Sequence, residues 1–126
     1  MFQSSHLYRN IAINKYDMGL TKTDGYTDKQ NALAIGLKAL AHPARIAIVE
    51  HILAVNSCIC GDIVEALPLS QPTISQHLKE LKAAGIIKGT ISGNAVCYCL
   101  DENGFEVLKS FVEQLEQSFV KQRKCC

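Results

Sequence analysis

Leu69-Ser70-Gln71-Pro72-Thr73-Ile74-Ser75-Gln76-His77-Leu78-Lys79-Glu80-Leu81, continued by Lys82-Ala83-Ala84-Gly85, is the stretch on which the fold turns. Ser70 is a good N-cap, and a proline in the first helical turn loses no hydrogen bond. Gly85 suits the left-handed position that follows a helix end, so a helix is expected over 71–83. Ile74, Leu78 and Leu81 recur at i, i+4 and i+7 and mark its buried face. Thr73, Gln76, Lys79 and Glu80 then turn outward. Residues 62–67 read as a brief helix with Ile63, Val64 and Leu67 inward, stopped by Pro68. Two short helices with a tight connection make a helix-turn-helix. Downstream, residues 86–91 and 95–100 flank the polar loop Ser92-Gly93-Asn94 and are expected to form a hairpin. The fold class is therefore mainly α with a small β-hairpin, a winged helix-turn-helix.

Working outward, Thr27-Asp28-Lys29-Gln30 matches a capping box, which starts a helix carrying Leu33, Leu37 and Leu40 on one face. His42-Pro43 ends it and places proline at the first position of the next helix, with His42 as a capping residue. That helix presents Ile46, Val49, Ile52 and Leu53 as an apolar stripe, with Arg45, Glu50 and His51 toward water. At the far end Phe105, Leu108, Val112, Leu115 and Phe119 write a narrow seam on a last helix. A seam of this kind needs a partner, either its own domain or a second copy.

With 126 residues and 48% apolar content, one domain is expected over residues 27–120. An N-terminal arm (1–26) shows no sustained period and is expected to be loosely ordered, and a basic tail (121–126) carries Cys125 and Cys126. Lys121, Arg123 and Lys124 beside that tail pair favour thiolate, so the tail is either an extra ligand source or incidental. No window approaches the ~18 apolar residues of a membrane span, and residues 1–14 lack the apolar block of a secretory signal. A cytoplasmic protein with no membrane partner is expected. Six cysteines in that reducing compartment argue for metal, metalloid or redox chemistry rather than a disulfide framework. Net charge is only +1, yet residues 71–94 set Lys79, Lys82 and Lys88 against Glu80 alone, which permits DNA binding, above all by a twofold dimer.

Leu40-Ala41-His42-Pro43-Ala44-Arg45, the quoted 69–81 stretch and Gly85-Ile86-Ile87 together resemble the ArsR/SmtB family of metal-sensing repressors, over roughly residues 28–120. The resemblance implies a dimeric winged-helix repressor that leaves operator DNA when a metal, metalloid or oxidant engages its cysteines or histidines. It also implies a homodimer built from the first and last helices, here residues 27–41 and 101–120. Geometry and resemblance converge on the front of the recognition helix for contact with double-stranded operator DNA. Gln71, Thr73, Ser75, Gln76 and His77 are short or planar hydrogen-bonding side chains near a helix N-terminus, suited to base edges and phosphates. Lys79 and Lys82 suit phosphates. His77 lies at the edge of the buried stripe, where it is either a base reader or a packed histidine. The wing tip carries no arginine or lysine, unlike many wings of the family.

Cys58-Ile59-Cys60 resembles the cysteine pair of thiolate-type arsenic repressors, but Gly61 offsets its register and the third family cysteine is replaced by Ile63 or Val64. Cys97-Tyr98-Cys99 repeats the spacing, and the period of two in a strand puts each pair on one face, with Val96, Tyr98 and Leu100 toward the core. If residues 57–60 pair beside 96–99, four thiols share one outward surface. Strands ~4.8 Å apart lie within reach of one ion held by Cys58, Cys60, Cys97 and Cys99. Soft thiolates suit zinc, cadmium or trivalent arsenic, and the resemblance favours arsenite. Cysteines as small core fillers are the plainer account. DNA binding itself is expected to need no cofactor. Residues 101–126 contain no histidine, which excludes the histidine-carboxylate zinc site of some relatives, and His6, His42 and His51 lack ligand spacing. Two alternatives stay open: a thiol redox or reactive-sulfur sensor in which Cys58 or Cys60 bridges to Cys97 or Cys99, and an interaction-only winged helix. Catalysis is not expected, since the Cys-X-X-Cys spacing of a thiol oxidoreductase is missing.

Overall fold

The computed structural model describes residues 24–123, apart from 62 and 94. The 1–23 part of the expected arm, and Lys124, Cys125 and Cys126 of the tail, lie outside the described residues. Helix α1 (Asp28–Leu40) begins at the expected capping box: Gln30 N–H donates to Thr27 Oγ1 at 3.1 Å, and Thr27 N–H donates to Gln30 Oε1 at 2.9 Å. Helix α2 (Pro43–Val55) is capped by His42, whose Nδ1 accepts from Ala44 N–H at 3.1 Å. Strand β1 (Ile59–Cys60), helix α3 (Ile63–Ala66), helix α4 (Gln71–Ala83), strands β2 (Ile87–Ser92) and β3 (Ala95–Leu100), and helix α5 (Glu102–Gln122) follow.

Helix α4 has the bounds its caps predict. Its C-terminus closes with Ile86 N–H on the Leu81 carbonyl and Gly85 N–H on the Lys82 carbonyl, both at 3.0 Å, and Gly85 takes φ +73°. That is the double closure a glycine permits after a helix. At the other end Ser70 has the extended backbone of an N-cap, but its hydroxyl pairs with Thr73 Oγ1 at 2.8 Å instead of a backbone N–H.

The hairpin gains a third strand, in the order β1-β3-β2, all antiparallel. Ile59 faces Tyr98 and Cys60 faces Cys97, the pairing that brings 57–60 beside 96–99. Ile59 points into the core, where Ile48, Ile74, Leu81, Ile86 and Ile87 are fully buried. Burying each such side chain contributes roughly 1.5–3 kcal/mol, as an upper figure. Gly104, at the start of α5, sits against the backbone of Gly85 so closely that a Cβ there would collide with the Gly85 carbonyl. That contact seats α5 on the end of α4.

Three buried faces differ from expectation. On α1 the inward residues are Ala32, Ile35, Gly36 and Ala39, with Leu33 and Leu40 at the margin and Leu37 exposed. Small residues face inward because α5 approaches closely: a Cβ on Gly36 would lie 3.3 Å from Leu108 Cδ2. On α2, Ile48, Val49 and Ile52 are buried while Ile46 and Leu53 are exposed. Arg45 is half-buried rather than turned to water. Val96 keeps the core-facing parity of Tyr98 and Leu100, but it pairs with Ile91 near the wing tip, beyond the end of the core, and is exposed. Among the described residues no single helix is long and apolar enough to cross a membrane.

Candidate nucleic-acid interface and cysteine cluster

Ile74, Leu78 and Leu81 seal one side of α4 into the core and so fix which side faces out. Gln71, Thr73, Ser75, Gln76 and Lys79 are all exposed there. Gln76 Nε2 donates to Glu80 Oε1 at 3.0 Å, one turn on, which orients the amide before any partner arrives. Lys82 is exposed, and its ammonium lies over Gly89, 3.3 Å from where a Cβ would stand, beside Val96 and Tyr98. It therefore sits at the junction between recognition helix and wing.

His77 differs from its neighbours. It is half-buried, its ring packs at 4.5 Å and 48° against that of His42, and its Nδ1 accepts a long hydrogen bond from Arg45 Nε–H at 3.4 Å. Arg45 also donates through Nη1 to the Ala39 carbonyl at 3.2 Å, so one guanidinium joins the end of α1 to α4. Burial first, then His42 and Arg45, lower the His77 pKa below the ordinary 6.5, with Glu80 opposing. A neutral ring whose Nδ1 accepts carries its proton on Nε2. His77 thus belongs to a brace between α1, α2 and α4, leaving only its Nε2 edge uncommitted. Sequence periodicity placed it at the margin, but nothing in the spacing pointed to Arg45, 32 residues away.

The cysteines at β1 and β3 are brought together as expected, and their state corrects the expectation of no disulfide framework in favour of the bridges foreseen in the redox alternative, from Cys58 or Cys60 to Cys97 or Cys99. Cys58 is bonded to Cys99 and Cys60 to Cys97, with Cα separations of 4.4 and 4.2 Å. The reason is register: the Cys60–Cys97 pairing continues two residues on to Cys58 and Cys99. Facing residues of a non-hydrogen-bonded antiparallel pair lie ~4.5 Å apart, with side chains close. The shared surface is also less open than expected. Cys58 and Cys60 are exposed, Cys99 is half-buried, and Cys97 is only 4% exposed. Cys97 is covered because β3 is the central strand, with Cys60 on one flank and Thr90 on the other. Among the described residues no group of three His, Cys, Asp or Glu side chains is placed to hold a metal ion. The four expected ligands are engaged in bridges, and only their reduced state offers thiolates.

A helix-turn-helix whose second helix exposes a hydrogen-bonding front, flanked by a hairpin wing, defines a winged helix-turn-helix, a class of fold that DNA-binding regulators use. The chain belongs to the arsR family of bacterial regulatory proteins, whose pattern matches residues 42–88. It is 48% identical over 67 residues to the HTH-type transcriptional repressor SmtB of Mycobacterium tuberculosis, a match covering 53% of this chain and 49% of that one. The chain thus spans about half the length of that relative. It is 34% identical over 94 residues to a CadC homolog of Staphylococcus aureus, a cadmium resistance transcriptional regulatory protein, covering 70% of this chain and 76% of the relative. An ArsR-like transcriptional regulator from Rhodococcus sp. RHA1 shares the fold, with a TM-score of 0.65 at 18% identity, over 79% of this chain and 92% of that one.

Proposed function

We propose that this chain is a transcriptional repressor that binds operator DNA as a homodimer and whose affinity is set by the bonding state of Cys58, Cys60, Cys97 and Cys99. The observation that carries the reading is the pair of bridges tying β1, which leads into the helix-turn-helix, to the central strand of the wing. Between β1 and α3 stands Gly61 at φ +81°, a backbone state that only glycine takes freely. With the bridges formed, wing and helix-turn-helix are clamped together; with four thiols, they are free to adjust on DNA. The reduced form binds tightly, and oxidation releases it.

On the duplex, Gln71, Thr73, Ser75 and Gln76 meet base edges, Lys79 and Lys82 meet phosphates, and the Nε2 edge of His77 faces the groove. Residues 27–41 and 101–120 build the homodimer, and the exposed Val112, Leu115, Phe119 and Val120 on α5 support that surface. Residues 27–120 act as the functional domain, with the 1–26 arm and the 121–126 tail outside it. The protein acts in the cytoplasm, and DNA binding itself needs no cofactor.

A second reading is favoured by four sulfurs on one sheet face and by the cadmium-linked relative. In it the reduced thiolates take arsenite, cadmium or zinc, and the ion replaces the bridges as the clamp. The test uses a duplex selected from random sequence by the reduced protein. Its binding should weaken steeply with salt, as phosphate neutralisation requires, and arsenite or cadmium added to the reduced protein should release it. Salt-independent or absent DNA binding would point to a protein-binding module. Release by the ions at equal concentration from a Cys58→Ser, Cys60→Ser variant would remove the cysteines from sensing.

A further inference from the structure

The two bridges are chemically unequal, and a groove opens beside one of them. Ile52, Leu53, Asn56, Ser57 and Leu100 line a cavity of about 230 Å³ whose remaining wall is the Cys58–Cys99 pair. Ile52, Leu53 and Leu100 make its apolar walls, and Asn56 and Ser57 add polar groups to the lining. Thiol–disulfide exchange needs an attackable sulfur and a leaving sulfur that tolerates negative charge. Cys58 is exposed and forms part of the groove wall. Its partner Cys99 is half-buried and pairs in register with Lys88 across β2–β3, so a cationic side chain rises from the same face of the sheet. At the other bridge the leaving sulfur would be Cys97, 4% exposed and flanked by Thr90, where burial disfavours the charged form.

We propose that the Cys58–Cys99 bridge and this groove form the preferred exchange site for a low-molecular-weight organic thiol, while Cys60–Cys97 is the slower of the two bridges to be reduced. The thiolate of the small molecule attacks Cys58 Sγ, the Cys58–Cys99 bond breaks, and its electron pair leaves on Cys99, giving a mixed disulfide on Cys58. A second molecule of the thiol attacks the mixed disulfide at the small-molecule sulfur. This releases the oxidised small-molecule disulfide and leaves Cys58 as a thiol. Two thiols are oxidised for one bridge reduced, and two protons pass from them to Cys58 and Cys99. The proposal rests on the reading that the bridges are the switch, and names the class of reductant that resets it.

The experiment treats the oxidised full-length protein with reduced glutathione, quenches it in acid at intervals, blocks free thiols with N-ethylmaleimide and maps the peptides. The expected early product carries glutathione on Cys58 and the maleimide on Cys99, formed about tenfold or more faster than any label on Cys60 or Cys97. Leu53→Glu, which sets a negative charge against an anionic thiolate, and Lys88→Gln should each slow that product severalfold, leaving labelling of the other bridge unchanged. Equal rates at both bridges, first attack on Cys60, or rates unmoved by both variants would overturn the proposal. Binding to the selected duplex is measured on the same samples before quenching. If mapping succeeds while affinity stays constant, the exchange site stands and the switch falls. Recovered affinity with glutathione first at Cys60 has the opposite meaning.

Discussion

Helices α4 and α5 pose opposite problems to the chain. Helix α4 buries its whole apolar stripe, Ile74, Leu78 and Leu81, and what it leaves outside is polar apart from Pro72 and Ala83 near its two ends. Helix α5 buries Gly104, Val107 and Leu108 in its first turns, then carries Val112, Leu115, Phe119 and Val120 into solvent, Phe119 at 59% exposure. A helix that has satisfied its apolar face presents hydrogen-bonding groups to a polar partner. One that has satisfied only half of it calls for another apolar surface. The surfaces proposed for DNA contact and for self-association are thus separated along the chain, and Gly85 against Gly104 is where the two helices meet.

Breaking that joint should have the largest effect. Gly104→Ala forces a Cβ into the Gly85 carbonyl, backbone against backbone, and is expected to cost about 3 kcal/mol or more in a urea melt. A loss under about 1 kcal/mol would mean that the two helices are not seated as described. Next, Phe119→Glu should leave the monomer folded, convert the dimer to monomer in sedimentation, and weaken duplex binding by about tenfold or more, since two half-sites no longer act together. A dimer that persists would move the interface elsewhere. Smaller still, Lys79→Ala should cost about 1 kcal/mol evenly across duplex sequences and reduce the salt slope by about one per protomer. A sequence-dependent loss would make Lys79 a base reader.

The smallest effect concerns His77, whose sign is fixed by its surroundings. Because the folded pKa lies below the ordinary 6.5, the unfolded chain takes up the proton first as pH falls. The contribution of neutral His77 is therefore complete above 6.5 and is lost as pH drops through that value toward the lower folded pKa. Urea midpoints of the protein should fall between about pH 7.5 and about pH 5, and His77→Gln should flatten the part of the slope due to this group. An unchanged slope would contradict the brace with His42 and Arg45.

What could be read from sequence alone follows the range of the forces involved. The ends of α4 were legible because Ser70, Pro72 and Gly85 act within a few residues of themselves. The approach of β1 to β3 was legible only through the resemblance to winged helices, in which the segment before the helix-turn-helix pairs with the second wing strand; strand periodicity by itself put each cysteine pair on one face. The inward face of α1 was not, because the large residues Leu33, Leu37 and Leu40 suggest a core that Ala32, Gly36 and Ala39 actually meet. That choice is made by how near α5 comes, through Leu108. Helix α2 is apolar nearly all round, so its period could not select Ile48 over Ile46. Burial of Cys97 depends on β3 being central, and the His42, Arg45 and His77 brace depends on three helices converging. Neither leaves a local signature.

The most direct measurement is the affinity of the selected duplex for fully oxidised and fully reduced protein at one salt concentration. The account predicts that the reduced form binds at least about tenfold more tightly, and that the Cys58→Ser, Cys60→Ser variant binds alike under both conditions. Equal affinities of the two forms of the unaltered protein would contradict it.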